Sequence, residues 1–432
     1  MLESKPALSA RPDLSTNCGG IKSPNPFWLA SAPPANSGLQ VQRAFEAGWG
    51  GAVWKTLGQP IQNVSSRFGA TKVRGVAGVG FNNIELITDR SLDINFREIA
   101  ETKRLFPKHA VVVSLMVETK AEWKELIQRS IDTGADGIEL NFGCPHGMCE
   151  RGMGSAVGQE PRVNQEITSW AVDFSTIPVL VKLTPNVSDI LPHGHAAKRG
   201  GAHGVTLINT IKSIIGVDID TFVPHPMVDG RSTNGGYCGA AVRPIALHMV
   251  GALAREPGFG LPISGIGGIT NWRDAVEFML LGSSSVQVCT EVMLRGYRIV
   301  EDMIEGLTDY MEAKGFATLD DMIGRAVPNF TEWGELDLNF ETVAKIDADK
   351  CIGCHLCVVA CDDGAHQCIH VGRDERVPVV DEAECVGCNL CQIVCPVPGC
   401  ITMAEVDNGF GKVSWNEHLR TGASLRPKKA AH

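Results

Sequence analysis

The sequence predicts an α/β fold, a (β/α)8 TIM barrel followed by a small cysteine-rich domain, and three observations support this class. Short apolar strands alternate with helical stretches over the first two thirds of the chain, and two cysteine runs of equal spacing lie near the C-terminus. The 432 residues are enough for a barrel of about 250 to 330 residues and an appended domain. The predicted limits are a barrel over 1–330, a linker over 331–344, the cysteine-rich domain over 345–407 and a tail over 408–432.

Four junctions between a helix and a strand define the repeat of the barrel region. In each, a helical pattern ends at glycine and passes into a short apolar strand. The junctions lie at 48–55, 134–141, 200–209 and 282–289. Further apolar strands are predicted at 111–116, 178–183 and 262–265, with an amphipathic helix at 121–131. Because apolar strands separated by helices indicate a parallel sheet covered on both faces, we favour a closed barrel over the alternative, an open doubly wound sheet.

Both cysteine runs have the spacing C-x2-C-x2-C-x3-C, which is the pattern of bacterial two-cluster ferredoxins. In that pattern the fourth cysteine of each run binds the other cluster, so we predict two [4Fe-4S] clusters. The first ligand set is Cys351, Cys354, Cys357 and Cys395, and the second is Cys385, Cys388, Cys391 and Cys361. Zinc is the alternative, since C-x2-C pairs also suit tetrahedral zinc, but the repeated spacing and the Cys395-Pro396 ending favour iron–sulfur. Cys368 and Cys400 are interpreted as core residues beside the clusters.

Charge and composition bear on partners and compartment. The formal net charge is −10, so we expect no nucleic-acid or anionic-membrane partner, and the cations at 426–429 are interpreted as a solvated tail. No apolar run approaches the roughly 18 residues of a membrane span, and the N-terminus has no apolar signal-peptide stretch. We therefore expect a cytoplasmic protein in which the cysteines are reduced.

Polar residues occupy the predicted C-terminal ends of the barrel strands, where barrel enzymes place their chemistry. They are Lys55, Thr56, Asn141, Lys182, Asn209, Thr210, Gly267, Gly268, Cys289 and Thr290. A buried lysine is costly unless it is paired, so two lysines at strand ends indicate function. The Gly267-Gly268 turn, followed by Asn271 at a helix start, offers backbone amides to a phosphate, as barrels do after strands seven and eight.

The cofactor can be inferred from what the chain has and lacks. No G-x-G-x-x-G or Walker motif is present in the sequence, so reducing equivalents must be exchanged with a partner. Clusters carry single electrons, whereas most reductions of metabolites transfer a hydride, and a flavin handles both. A phosphate site and strand-end lysines suit FMN, because a lysine can stabilise the anionic reduced flavin.

The loop at 141–154 follows a strand and carries a thiol, Cys144, before Pro145. Its glycines permit a mobile lid that closes over a bound substrate. With the pKa of a free cysteine near 8.5, Cys144 is a neutral thiol at about pH 7 and can donate a proton while a flavin delivers hydride to a polarised C=C bond. His146 is an alternative proton donor, and Cys149 is a weaker one.

At this point the chain resembles the dihydropyrimidine dehydrogenases, above all the bacterial subunit that carries FMN and two [4Fe-4S] clusters. The resemblance rests on the loop at 141–154, on the cysteine runs, and on the motifs Lys182-Leu-Thr-Pro-Asn186, Ile208-Asn-Thr210 and Arg243-Pro-Ile-Ala246. It implies reversible reduction of uracil or thymine to the 5,6-dihydropyrimidine. Hydride would pass from FMN N5 to C6, and Cys144 would protonate C5. It also implies an NAD(P)H- and FAD-dependent flavoprotein subunit as partner, with this chain as a homodimer within a hetero-oligomer.

The resemblance also assigns contacts residue by residue. Substrate contacts carry over to Asn83, Glu85, Asn141, Asn209 and Thr210. FMN contacts carry over to Ser31, Lys55, Thr56, Lys182, Gly239, Gly267, Gly268, Cys289 and Thr290. Amide side chains suit a pyrimidine edge that offers both donors and acceptors. Gly143 stands where the eukaryotic enzymes tend to carry serine, which would alter one loop contact.

Two other functions remain open on the sequence. A dihydroorotate dehydrogenase is a related FMN barrel with a catalytic thiol before proline, but that family has asparagine where this chain has His146, and its iron–sulfur subunit is normally separate. A non-catalytic electron-transfer adaptor is the second alternative. Such an adaptor would bind no flavin and would need neither strand-end lysines nor a thiol loop.

Overall fold

The computed structural model describes residues 11–73, 76–145, 152–364 and 366–427. The chain divides into two compact units, Met1–Phe330 and Thr331–His432. Each unit has a hydrophobic core of its own. Among the helices of the described residues, none is long and apolar enough to cross a membrane.

Eight parallel strands close into a barrel in the first unit, and each strand neighbours the next one along the chain. The strands are β1 (Phe27–Leu29), β2 (Gly51–Leu57), β3 (Ala110–Leu115), β4 (Gly137–Asn141), β5 (Val179–Lys182), β6 (Gly204–Leu207), β7 (Ile263–Ile266) and β8 (Ser283–Val288). Every residue of β2, β3, β5 and β6 is buried, as expected for strands covered on both faces. The predicted (β/α)8 barrel is therefore confirmed, and the open sheet is excluded.

Helices cover the outside of the barrel between successive strands. They are α1 (Gly38–Ala47), α2 (Leu92–Leu105), α3 (Lys120–Asp132), α4 (Pro161–Phe174), α5 (Leu191–Arg199), α6 (Arg243–Arg255), α7 (Trp272–Leu280) and α8 (Ile299–Lys314), with short helices at Ser155–Gly158 and Thr290–Arg295. The helix predicted at 121–131 corresponds to α3. It begins with a capping box formed by Thr119 and Glu122. Gly48 ends α1 with φ of 117°, a conformation that favours glycine.

The N-terminal end of the barrel is closed by a small antiparallel hairpin, Thr16–Cys18 with Ile21–Ser23. Cys18 and Ile21 form a fully buried cluster with Trp28 and with barrel residues that include Val53. This plug keeps water from the lower end of the barrel. The barrel interior is therefore accessible from the C-terminal end of the strands.

At the C-terminal end, the loops after β2 and β6 combine in a four-stranded antiparallel sheet. Its order is Ile211–Ser213, Gly235–Cys238, Val76–Asn83 and Phe68–Val73. A Cβ on Gly80 would lie 1.7 Å from the Tyr237 hydroxyl, so only glycine allows these two strands to approach so closely. The sheet was not predicted, because its strands are parts of loops in the barrel repeat and its central pairing joins residues more than 150 positions apart in the sequence.

The second unit is a small α/β domain built on the strands Thr342–Ile346 and Ile401–Glu405, which pair in antiparallel register. A second pair joins Ile369–His370 and Val379–Val380, and the helices are Leu356–Gly364, Leu390–Val394 and Trp415–Thr421. The predicted boundary between linker and domain, at 344/345, falls inside the first strand. The segments predicted as linker and tail contact each other, because Asn339 Nδ2 donates to Gly411 O at 2.7 Å and Arg426 N donates to Asn339 Oδ1 at 2.8 Å.

Candidate active site

One cavity at the C-terminal end of the barrel brings together all of the predicted barrel site residues. They are Ser31, Lys55, Thr56, Asn83, Glu85, Asn141, Cys144, Lys182, Asn209, Thr210, Gly239, Gly267, Gly268, Cys289 and Thr290. Most lie at the ends of barrel strands or just after them. Asn83 and Glu85 instead come from the end of a strand in the antiparallel sheet, so that sheet supplies one wall of the cavity.

Thr56 is the centre of a chain of polar contacts on the cavity floor. Its hydroxyl oxygen is 3.0 Å from that of Ser31 and 2.9 Å from that of the buried Ser114. Asn141 Nδ2 donates to Thr56 Oγ1 at 2.9 Å, and Asn141 Oδ1 accepts from Asn209 Nδ2 at 2.9 Å. Because each amide has both a donor and an acceptor engaged, the contacts hold the two asparagines in one orientation. Ser114 was not predicted, since a serine within a strand carries no distinctive signal.

Charged side chains line another part of the cavity. Lys55 Nζ lies 2.8 Å from Glu85 Oε1, and Arg67 Nε lies 3.3 Å from the same oxygen. Lys55 and Glu85 are almost fully buried, whereas Arg67 is partly exposed. Removing either partner of such a buried pair would leave an uncompensated charge. The pairing therefore fixes Glu85 in the cavity wall. Arg67 does not itself line the cavity, and its contact with Glu85 was not revealed by the sequence.

The turn after β7 has a geometry that glycine alone accepts without strain. Gly267 and Gly268 have φ of 135° and 77°, and a Cβ on Gly268 would lie 2.9 Å from Gly239 O. Asn271 caps α7, since its Oδ1 accepts from Arg273 N at 2.8 Å and from Asp274 N. The first amides of α7 are thus already bonded. A phosphate in the cavity would therefore bind the backbone at 267–268 and 289–290 and not the first amides of α7.

Cys144 lies in the cavity wall on the loop that follows β4. Its carbonyl accepts from Ser155 N at 3.0 Å, and a Cβ on Gly154 would lie 2.8 Å from that carbonyl, so the two ends of the loop meet closely. The rest of the predicted lid, with the alternative donors His146 and Cys149, lies outside the described residues.

Cys238 and Cys289 are the other thiols that the described residues contribute to the cavity. Burial raises the pKa of Cys238 to about 11 and raises the pKa of Cys289 as well. Thr290 Oγ1 donates to Cys238 Sγ at 3.3 Å. Both thiols are therefore neutral and fixed at neutral pH, which suits wall residues.

In the second unit, the cysteines line two small cavities in the two predicted sets of four. One cavity is lined by Cys351, Cys354, Cys357 and Cys395, and the other by Cys361, Cys385, Cys388 and Cys391. The remaining lining is mostly apolar, such as Ile346 and Ile401 in the first cavity and Ile369 and Met403 in the second. Cys400 and Cys368, which were interpreted as core residues, are buried and also line the first and second cavity respectively.

Comparisons with known proteins identify both units. Residues 13–311 match the dihydroorotate dehydrogenase family. The chain belongs to this family. Residues 344–403 match the 4Fe-4S dicluster domain. The dihydroorotate dehydrogenase family includes flavin-dependent oxidoreductases, and the chain is an oxidoreductase of this kind.

Three relatives show where the chain stands within the family. It is 42% identical over 396 residues to the NAD-dependent dihydropyrimidine dehydrogenase subunit PreA of Escherichia coli, which covers 91% of this chain and 96% of that protein. It is 40% identical over 343 residues to the chloroplastic dihydropyrimidine dehydrogenase (NADP(+)) of Arabidopsis thaliana, which covers 76% of this chain and 80% of that protein. It is 36% identical over 315 residues to the dihydroorotate dehydrogenase B (NAD(+)) catalytic subunit of Pyrococcus horikoshii, which covers 71% of this chain and 96% of that protein.

The predicted cofactors are those of the matched families, FMN and two [4Fe-4S] clusters. The cavity of the family barrel fits FMN in three respects. The 267–268 turn can accept a phosphate, the ammonium group of the nearly buried Lys182 has no hydrogen bond to the described residues, and Gln287 Oε1 is a buried acceptor without a partner among them. In the second unit, each of the two mostly apolar cavities contains one predicted set of four cysteine ligands, which fits a [4Fe-4S] cluster.

Proposed function

We propose that this chain is the catalytic subunit of a dihydropyrimidine dehydrogenase. It reduces uracil or thymine to the 5,6-dihydropyrimidine, reversibly, with electrons that an NAD(P)H- and FAD-dependent flavoprotein subunit delivers through the two clusters. One observation carries the proposal: a single cavity combines ordered amides, a loop thiol and the features that suit FMN, in a chain that also has two four-cysteine cavities. The names of the Escherichia coli and Arabidopsis relatives support the same reaction.

The amides of the cavity bind the pyrimidine. A pyrimidine base offers alternating donors and acceptors along its edge, and asparagine matches both. Asn209 Oδ1 accepts from Thr210 N at 2.7 Å, and Asn83 Nδ2 donates to Gly236 O at 3.2 Å, so both side chains are already oriented. Groups oriented before binding do not have to be ordered by the substrate, which favours affinity.

Cys144 holds the proton that is added to C5. A free cysteine has a pKa of about 8.5, so most of the thiol is protonated at neutral pH. When FMN is bound, it supplies the hydride to C6. The backbone contact between Cys144 and Ser155 fixes the start of the loop that carries the thiol. In the reverse direction the same side chain accepts the proton.

Glu85 distinguishes this reaction from the oxidation of dihydroorotate. Dihydroorotate carries a carboxylate on C6, and the cavity wall already contains the carboxylate of Glu85. Among the described residues, Lys55 and Arg67 are the cations that contact Glu85, and both are engaged with it. Because these cations are already paired with Glu85, their attraction for a second carboxylate is reduced, so an uncharged pyrimidine suits this wall better.

The proposal is tested with the purified chain under anaerobic conditions. We expect it to contain FMN and, with an NADH-oxidising flavoprotein subunit, to reduce uracil or thymine faster than orotate. Preference for orotate would contradict the proposed substrate. Absence of bound FMN would favour the electron-transfer adaptor instead.

Gly143 provides a test of the substrate amides. A Cβ on Gly143 would lie 2.3 Å from Asn209 Cβ and 2.4 Å from its Nδ2, so a larger residue must displace Asn209. We expect Gly143→Ala to raise the KM for uracil by about 10-fold, the scale of one misplaced hydrogen bond, while FMN content is unchanged. Gly216→Ala is the control, because a Cβ there meets open space. An unchanged KM in Gly143→Ala would count against the role of Asn209.

A further inference from the structure

A carboxylate lies inside the barrel directly below the cavity, where an apolar side chain would be expected. Glu139 is completely buried on β4, two residues before Asn141, so both side chains lie on the same face of the strand. Asn141 pairs in register with Lys182 of β5. The interior layers of such barrels are usually filled by branched apolar residues. The position of Glu139 therefore calls for a reason other than packing.

The two oxygens of Glu139 have different surroundings. Oε2 accepts from Gln287 Nε2 at 3.0 Å, and the same nitrogen lies 3.2 Å from Ser264 Oγ. Oε1 has no hydrogen-bond donor among the described residues and lies 3.6 Å from Lys182 Nζ. The side chain of Lys182 is 5% exposed and that of Glu139 is fully buried. Gln287 thus orients the carboxylate so that its other oxygen faces the ammonium group.

We propose that Glu139 is a positioning residue for the cofactor site, the buried counter-charge that holds Lys182 at the cavity floor. The inference rests on the proposed function only in that Lys182 is taken to contact FMN. Two opposite charges in a low-dielectric interior attract strongly, whereas either one alone is costly to bury. Glu139 thereby also determines how strongly the positive charge of Lys182 acts on a bound group.

The sign of this effect on FMN follows from charge alone. Reduction makes the flavin more negative, and a cation beside it stabilises the reduced form. Glu139 offsets part of the positive charge of Lys182. Removing the carboxylate therefore stabilises reduced FMN relative to oxidised FMN, and the reduction potential of the bound cofactor rises.

The pairing is tested first by stability, on the full chain at about pH 8, in Glu139→Gln, Lys182→Met and the double variant. Lys182→Met leaves a buried carboxylate without its partner. We expect the double variant to unfold at a temperature at least about 2 °C above that of Lys182→Met. FMN content is measured in both, so that loss of cofactor is not mistaken for loss of the pair. A double variant no more stable than Lys182→Met would overturn the proposal.

The influence on the cofactor is tested by redox titration of the holoenzyme. We expect Glu139→Gln to change the ratio of affinities for reduced and oxidised FMN at least tenfold, which is about 30 mV for a two-electron couple. The matched control is Thr206→Val, because Thr206 Oγ1 lies 3.4 Å from the same Gln287 nitrogen but is uncharged. The control should leave the potential unchanged. An unchanged potential in Glu139→Gln would overturn the proposal.

These outcomes are separate from the proposed reaction. If the wild-type chain failed to reduce uracil, the stability and redox comparisons would still report on Glu139 and Lys182. If Glu139→Gln failed to fold, the comparison of Lys182→Met with the double variant would decide.

Discussion

The Cys144→Ala variant is expected to keep FMN and both clusters but to lose about 100-fold or more of its turnover with uracil, the usual scale for a positioned general acid. The substitution removes the proton donor while leaving the polar chain around Thr56 and Asn141 untouched. Reduction requires a proton on one carbon and a hydride on its neighbour. Loss of the proton donor therefore slows the whole reduction. The measurement is steady-state reduction of uracil under anaerobic conditions, with FMN content determined by absorbance.

The matched control for this variant is Cys238→Ala. Cys238 lines the same cavity, but burial raises the pKa of its thiol to about 11 and it is not on the loop after β4. We expect the control to stay within a few-fold of the wild type. Near-normal turnover in Cys144→Ala would show that another group, such as His146, supplies the proton.

A chain that ends at Phe330 is expected to retain FMN and to reduce uracil with an artificial reductant, but to lose NADH-driven turnover through the flavoprotein subunit. The cut follows the division of the chain into two units, each with its own core. A cut at Ala344 would instead divide the strand Thr342–Ile346 and is avoided. NADH-driven activity should fall to background, because the eight cluster cysteines are removed.

Two comparisons make the truncation decisive. The full-length chain with the artificial reductant sets the rate of the barrel reaction, and the truncated chain should match it within a few-fold. If the truncated chain still accepted electrons from the flavoprotein subunit at the wild-type rate, the clusters would not be the route of electron entry.

The barrel could be predicted because its signals are local. Each junction, such as the one that ends α3 and begins β4, combines a glycine with a short apolar strand within about ten residues. The four-stranded sheet could not be predicted in this way. Its central pairing joins Asn83 to Gly236, and nothing in either segment alone specifies the partner.

The part of the candidate site that could be predicted consists of polar residues at the C-terminal ends of barrel strands. Lys55, Asn141 and Lys182 could be assigned because polar residues at such ends are unusual in a buried sheet. Glu139 and Gln287 were missed although both lie within barrel strands, because their meaning depends on a contact between β4 and β8. Long-range contacts of this kind appear in the folded chain and not in any sequence window.

The most direct test of the central claim is a single-turnover experiment on the wild-type chain alone. The protein is reduced chemically without oxygen and mixed with uracil, thymine or orotate, and reoxidation of FMN is followed by absorbance. The account predicts that uracil or thymine reoxidises FMN rapidly and yields the 5,6-dihydropyrimidine, whereas orotate does so slowly or not at all. Rapid reoxidation by orotate, with no dihydropyrimidine formed from uracil or thymine, would contradict it.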